Sequence, residues 1–291
     1  MKLLDGALVA AHYKEQIKEE VKILVSKGYK KPHLAAILVG NNPASEAYVG
    51  AKVRTCEEIG FASTLLRLDA SIDEASLLNE IAALNENKDV DGILVQLPLP
   101  KHIREAAIIN AIDPTKDVDG FHPVSIGKLV LGEDTFLPAT PYGILLMLSY
   151  YGINLAGKHC VVIGRSNIVG TPMSILLSRN NAYGNATVTL THSKTKDLKA
   201  HCLQADVIIA AIGIPYFLKA DMVKEGAIVI DVGINRIEDA SKKSGSRLVG
   251  DVDFDAVAPL CSYITPVPKG VGPMTICGLM QNTLNAVKNK R

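Results

Sequence analysis

The chain has no C-x-x-C pair and an odd number of cysteines: Cys56, Cys160, Cys202, Cys261 and Cys277 stand apart from one another. That pattern suggests neither a zinc site nor a disulfide framework. Free thiols in apolar segments fit a reducing cytosol, so we expect ordinary core packing for them and a cytoplasmic protein. No group of His, Cys and Asp has metal-ligand spacing, and no metal is expected. An excess of one charge is also missing. Lys and Arg total 31 against 30 Asp and Glu, a formal net charge of +1, which points to neither a nucleic-acid nor a membrane partner and favours a small molecule. The opening MKLLDGALV places Asp5 and Gly6 where a signal peptide needs an unbroken apolar core. The most apolar helical stretch, around Tyr142 to Ile153, is too short to span a bilayer. Internal repeats and low-complexity segments are absent.

What is present is apolar sequence in the right rhythm. Hydrophobic residues make up 48% of 291 and charged residues 21%, enough for one large domain or two of ordinary size. Continuous Val-, Ile- and Leu-rich runs predict strands at Leu34–Val39, Thr64–Leu68, Gly92–Leu97, His159–Ile163, Thr187–Thr191, Val207–Ala211, Ala227–Val232 and Tyr263–Thr265. Helical periods lie between them, the pattern of parallel β-α-β units. A break falls in LPATP, where Thr140 can cap a helix and Pro141 suits its first position, so a helix is expected over Gly143 to Tyr151. A last amphipathic run, Met274 to Lys288, follows PVPKGVGP and can return to pack on the first unit.

One strand leads into a possible anion site. After HCVVI come Gly164, Arg165, Ser166, Asn167, Ile168, Val169, Gly170, Thr171 and Pro172. A strand, a glycine turn and a helix start direct backbone N–H groups and the helix dipole at a pyrophosphate. Gly164 allows the turn and Gly170 a close approach of the helix to the sheet. The spacing is not G-x-G-x-x-G, and the bland alternative is a tight connection with no ligand. The next strand then ends in His192, Ser193 and Lys194, without the carboxylate that NAD sites use on the ribose. Arg165 and Ser166 offer a guanidinium and a hydroxyl to a 2′-phosphate, so NADP is expected over NAD. The fold expected is α/β: two α/β domains, the second a Rossmann-type doubly wound parallel sheet, with a cleft between them. Their expected bounds are 1–139 plus 271–291 for the first and 140–270 for the second.

In the first domain Asn42-Pro43 can start a helix and Gly60 can stop it. Tyr48 and Lys52 lie four apart on one face of that helix, a face that taken alone reads as partly solvated. Gln96 falls at the end of the strand in GILVQLPLP, where open sheets place ligands. Asp119 sits in KDVDG, which read blandly is a turn with Asx capping.

Together these segments form a pattern. Tyr48-Val49-x-x-Lys52, the run Val95 to Pro100, Asp117-Val118-Asp119-Gly120, Gly164-Arg165-Ser166 and the run Pro266 to Thr275 occur in this order. The chain resembles the bifunctional methylenetetrahydrofolate dehydrogenase/methenyltetrahydrofolate cyclohydrolase family from about Leu4 to Val287. One departure is visible: Lys269-Gly270 stands where the family usually has Gly-Gly.

The resemblance implies that Lys52 is the key catalytic residue, that Tyr48 stacks on the folate, and that Gln96 hydrogen-bonds Lys52. It further implies that Asp119 grips the pterin, with Leu97, Pro98, Gly272 and Pro273 also on the substrate. It assigns the dinucleotide to Thr140, Gly164, Arg165, Ser166, Ile168, Ser193, Gly213, Ile234 and Thr275. Its partners are tetrahydrofolate derivatives, and it implies a homodimer. Three rival readings remain: a dehydrogenase without the hydrolytic step, another NADP oxidoreductase acting on a hydroxy or keto acid, and a non-catalytic nucleotide-binding protein. His122, next to DVDG, is expected to make a structural hydrogen bond.

Overall fold

The computed structural model describes residues 1–241 and 245–289, the side chain of Asn289 excepted. In chain order the strands are β1 (Lys2–Leu3), β2 (His33–Val39), β3 (Ala62–Leu68), β4 (Gly92–Val95), β5 (His159–Ile163), β6 (Thr187–Thr191), β7 (Val207–Ala210), β8 (Ile228–Asp231), β9 (Asn235–Glu238), β10 (Ser246–Val249) and β11 (Tyr263–Ile264). The helices are α1 (Gly6–Ser26), α2 (Pro43–Ile59), α3 (Glu74–Glu86), α4 (Glu105–Ala111), α5 (Pro123–Leu131), α6 (Ala139–Tyr150), α7 (Gly170–Ser178), α8 (Leu198–Gln204), α9 (Phe254–Val257) and α10 (Val271–Asn289). Two compact units form, one from Met1–Ala10 with Thr140–Thr275, the other from Ala11–Ala139 with Ile276–Arg291. No helix among the described residues is long and apolar enough to cross a membrane.

In the unit built on Ala11–Ala139, β2 lies between β3 and β4, and all three are parallel. From Leu34 onward β2 is buried on both faces, which is why its sequence is an unbroken apolar run. Ala35, Ile37 and Val39 join Ile93 and Val95 in packing against Leu77, Ile81 and Leu84 of α3. The chain after α4 runs beside β4, with the Ile93 N–H donating to Lys116 O at 2.8 Å. Lys116 is buried, and its Nζ donates to the carbonyls of Leu84, Asn85 and Asn87 at 2.9, 2.7 and 2.8 Å. A cation there meets the orphan carbonyls and the negative end of α3. Within the same unit Asn282 of α10 donates to Val118 O and Leu137 O at 2.8 and 2.7 Å.

The other unit holds a parallel sheet in the order β1-β11-β8-β7-β5-β6. From β5 the chain steps outward to β6, then returns to the other side at β7. The strand order therefore reverses between β5 and β7, where open α/β sheets take ligands. Val161, Ile163, Ile208, Ala210, Val229 and Ile264 share a core with Cys202, Leu218 and Val223. All five cysteines of the chain are buried free thiols. Burial pushes Cys56, Cys160 and Cys277 up to about 12 and Cys202 and Cys261 up to about 11, so they stay protonated and inert.

Some elements differ from those read in the sequence. The β4 strand stops at Val95, so Gln96 and Leu97 lie in the loop beyond it. The short β1 and the antiparallel β9–β10 pair were not among the expected strands. The α6 helix begins at Ala139, which puts Thr140 inside the first turn rather than at the cap. Pro141 is accommodated there because its missing N–H would have no partner in a first turn.

Lys269 keeps a φ of +80°, the left-handed region that costs a non-glycine residue about 1 kcal/mol or more. Its carbonyl accepts the Ala7 N–H at 3.1 Å and its side chain is exposed. Lys269→Gly should therefore be close to neutral in a thermal melt. Relief of strain is offset by the entropy of a freer unfolded chain, about 0.4–1 kcal/mol. Lys269→Val, branched at Cβ, should lose about 2 kcal/mol. A valine variant as stable as the parent would show that this loop does not need its left-handed residue.

Candidate active site

The α2 helix is set by its ends. Asn42 Oδ1 accepts from the N–H of Ala44 and Ser45 at 3.0 and 3.2 Å, and Gly60 closes the helix at φ +82°. Between these caps Tyr48 and Lys52 share a face, but the solvated-face reading fails for the lysine, which is only 4% exposed. Its Nζ donates to Gln96 Oε1 at 3.0 Å and stands 5.5 Å from the centre of the Tyr48 ring. Gln96 has one orientation available to it. Its backbone N–H donates to Ile37 O at 2.9 Å and its Nε2 to Leu97 O at 2.7 Å. The side-chain oxygen is thereby left facing the amine. Pro98 follows on the exposed side of this loop.

Asp119 enters from the segment pinned by Lys116. Of the two aspartates in DVDG, Asp117 does the structural work: it accepts from the Phe121 N–H at 3.2 Å, the His122 N–H at 2.9 Å and Ser125 Oγ at 2.7 Å. His122 then caps α5, with Nδ1 accepting the Val124 N–H at 3.1 Å. Gly120 adopts φ +73°, and a Cβ there would lie 2.7 Å from the backbone of Leu137 and Pro138. Asp119 is left without a structural duty of that kind. Burial pushes its carboxyl up to about 6; the charge of Lys52 opposes that and the charge of Asp117 adds to it. Burial likewise lowers the Lys52 pKa, against the pull of Asp119. An amine biased toward its neutral form, beside a fixed amide oxygen and a carboxylate, is equipped to accept a proton.

The remaining predicted residues lie in the other compact unit. Gly272 and Pro273 open α10. Thr140 and Thr275 meet through their hydroxyls at 3.0 Å. Gly164, Arg165, Ser166 and Ile168 form the turn between β5 and α7, exposed from Arg165 to Ile168. Ser193 is exposed beyond β6, Gly213 follows β7 and Ile234 follows β8.

The turn fits a dinucleotide phosphate. Gly164 has φ +112°, and a Cβ there would lie 2.3 Å from Ala211 O. A Cβ on Gly170 would lie 2.0 Å from Gly164 O, so this glycine serves the turn itself and not only helix-to-sheet packing. Both glycines are thus required by the tight packing of the turn on the chain itself, and Arg165 to Ile168 are the part of it left exposed to a ligand. Ser166 Oγ accepts the N–H of Val169 and Gly170 at 3.2 and 3.4 Å, which leaves its own proton to donate outward. No ion pair holds Arg165 among the described residues, so its guanidinium is available to an anion. The expected site residues did not include Asp117, Ser125 or two buried aspartates of this unit, Asp231 and Asp251. An acidic residue directly after a run such as AIVI is the signal that could have found Asp231.

The chain as a whole is similar to known proteins over nearly all of its length. Residues 4–119 match the tetrahydrofolate dehydrogenase/cyclohydrolase catalytic domain, and residues 138–291 match the NAD(P)-binding domain of the same name. The bifunctional protein FolD of Cytophaga hutchinsonii is 60% identical over 290 residues, with 100% of both chains covered. A crystal structure of the bifunctional FolD methylenetetrahydrofolate dehydrogenase/cyclohydrolase from Campylobacter jejuni superposes with a TM-score of 0.93 at 51% identity, covering 100% of each chain. The Trypanosoma brucei dehydrogenase-cyclohydrolase, crystallised with NADP cofactor and an inhibitor, gives a TM-score of 0.93 at 37% identity over 98% of this chain and 97% of that one.

Proposed function

The chain belongs to the tetrahydrofolate dehydrogenase/cyclohydrolase family, and from that premise we propose how its residues divide the work. It is a bifunctional enzyme: it oxidises 5,10-methylenetetrahydrofolate to 5,10-methenyltetrahydrofolate with NADP, then hydrolyses that product to 10-formyltetrahydrofolate. When bound, NADP supplies the acceptor for the hydride that leaves the methylene carbon. Residues 1–139 with 271–291 bind the folate, and residues 140–270 bind the dinucleotide. Thr140, Gly164, Arg165, Ser166, Ile168, Ser193, Gly213 and Ile234, with Thr275 from outside that stretch, serve the dinucleotide. Gly164 and Ser166 cradle phosphate, and Arg165 pairs with the 2′-phosphate.

On the folate side Tyr48 stacks on the substrate, with Leu97, Pro98, Gly272 and Pro273 completing its binding. Asp119, as a carboxylate, accepts a pair of hydrogen bonds from the amino and ring N–H groups of the pterin. Oxidation leaves a cation on the carbon between N5 and N10. That positive charge disfavours an ammonium at Lys52 and adds to the effect of burial. The neutral amine takes a proton as the water oxygen bonds to the methenyl carbon, and Gln96 holds the amine in line. The carbon–N5 bond then breaks as N5 gains a proton and the new hydroxyl loses one, which leaves the formyl group on N10. The observation that carries this reading is the buried Lys52 held at 3.0 Å by a glutamine whose amide has no freedom to turn. We further propose a homodimer working in the cytoplasm, supported by the family likeness and by cysteines kept as thiols.

The test is to mix the purified protein with methylenetetrahydrofolate and either NADP or NAD, and to follow absorbance. The expected outcome is reduction of NADP in preference to NAD, with a methenyl band that decays. A methenyl band that persists would reduce the protein to a dehydrogenase. No reduction of either dinucleotide would remove the assignment.

A further inference from the structure

Two acidic side chains lie buried near the ends of β7 and β8 in the larger sheet. Asp231 is 3% exposed and Asp251 is fully buried, and among the described residues neither is in an ion pair. Burying such groups is costly unless hydrogen bonds replace water. The bonds that do so form two layers. Asp231, at the end of β8, takes the N–H of Gly233 and Asp251 on Oδ1, both at 2.9 Å, and that of Val252 on Oδ2 at 3.0 Å. The backbone of Asp251 is thus fixed from below. Asp251 in turn takes the N–H of Ile212 and Gly213 on Oδ2, at 2.7 and 2.9 Å, and Asn235 Nδ2 on Oδ1 at 2.9 Å. Glycines make room for both groups: a Cβ on Gly250 would lie 1.7 Å from Asp231 Oδ2, and one on Gly233 would lie 2.3 Å from Asp251 Oδ1.

The segments gathered by Asp251 follow β7 and β8. Those strands and β5 are neighbours in a parallel sheet, so all three loops leave the same edge. The first loop is also the wall against which the Gly164 turn rests, since a Cβ on Gly164 would meet Ala211 O at 2.3 Å and Ile212 Cγ2 at 3.1 Å. Each loop carries a large apolar side chain left in solvent: Ile168 at 40%, Ile214 at 50% and Ile234 at 48% exposure. Apolar residues clustered on one rim mark a surface built to be covered by a ligand.

We propose that Asp251 is a positioning residue for the dinucleotide: it never touches the ligand, but ties the loops after β7 and β8 into the one shape that presents Gly213 and Ile234 and supports the Gly164 turn. This rests on the reading of the chain as an NADP-dependent dehydrogenase and cyclohydrolase. The hydrolytic step needs no dinucleotide, so it reports on the rest of the molecule independently.

The experiment measures the NADP dissociation constant by calorimetry, together with hydrolysis of added methenyltetrahydrofolate in the absence of NADP. Asp251→Ala is expected to weaken NADP binding at least about tenfold while hydrolysis stays within about twofold. Asp251→Asn keeps an acceptor for Ile212 and Gly213, and Asn235 can turn its own oxygen toward the new amide. Binding in that variant should therefore stay within about threefold of the parent. A folded Asp251→Ala that binds NADP like the parent, or that loses both activities equally, would overturn the proposal. Should Asp251→Ala fail to fold, Asn235→Ala removes only the Oδ1 contact and should weaken NADP about threefold with hydrolysis retained. Unchanged binding there would overturn it equally. Failure of the parent protein to bind NADP would instead refute the functional assignment beneath it.

Discussion

Lys52→Met is expected to lower the cyclohydrolase rate by about 10³-fold or more, while NADP still binds. Methionine nearly matches lysine in length and volume, so the buried slot on α2 stays filled and the fold is retained. What disappears is the buried amine to which the proton of the attacking water is assigned. Gln96 accepts from the amine and has its own amide committed to Leu97, and Tyr48 offers a ring face 5.5 Å away. Lys52→Arg sharpens the test. A guanidinium does not release its proton in a protein, so this variant keeps the positive charge and cannot act as a base. It should be as inactive in hydrolysis as the methionine variant. Full hydrolysis of added methenyltetrahydrofolate by purified Lys52→Met, followed at the methenyl band, would refute the role given to this amine.

Arg165→Ala should raise the KM for NADP roughly 10–100-fold, the range for losing a charge-assisted hydrogen bond to phosphate, and leave the folate KM within about twofold. The KM for NAD should hardly move, because NAD has no phosphate for the guanidinium to hold. The preference between the two dinucleotides therefore collapses from one side. Arg165 is exposed, so its contribution is screened by salt. The KM of the parent for NADP should climb with ionic strength more steeply than that of the variant. Steady-state kinetics with each dinucleotide decides the matter, and equal increases for NADP and folate would remove the 2′-phosphate from Arg165.

Much of the fold was legible because the strands of a parallel sheet are buried on both faces and must be apolar throughout. The β5 and β6 strands run over the residues expected, and the caps Asn42 and Gly60 mark α2 as read. Short or exposed strands carry no such mark: β1 has two residues, and β9 alternates partly covered and exposed positions with charged side chains. Thr140 was misplaced because a first-turn threonine and a capping threonine look alike before Pro141. In the site, four-residue spacing puts Tyr48 and Lys52 on one face, but the depth of that face depends on what packs over it. Lys52 and Gln96 lie 44 positions apart in the chain, and only the resemblance to a known family joined them beforehand. The division between Asp117 and Asp119 was not legible either. Both stand in the same four-residue turn, and the difference lies in which of them finds backbone N–H groups.

The chain passes between its two compact units after Ala10, after Ala139 and after Thr275. These positions fall within α1, at the first residue of α6 and within α10. None of the passages is a stretch of coil that could be cut and rejoined at will. Neither half is thus a cassette: a chimaera that borrowed its nucleotide portion from a relative would need three splices, each preserving the phase of a helix along with the side chains on both sides of the joint. Recombination at a single point would deliver two incomplete pieces, and substitution within an intact chain is left as the open route to a different dinucleotide preference.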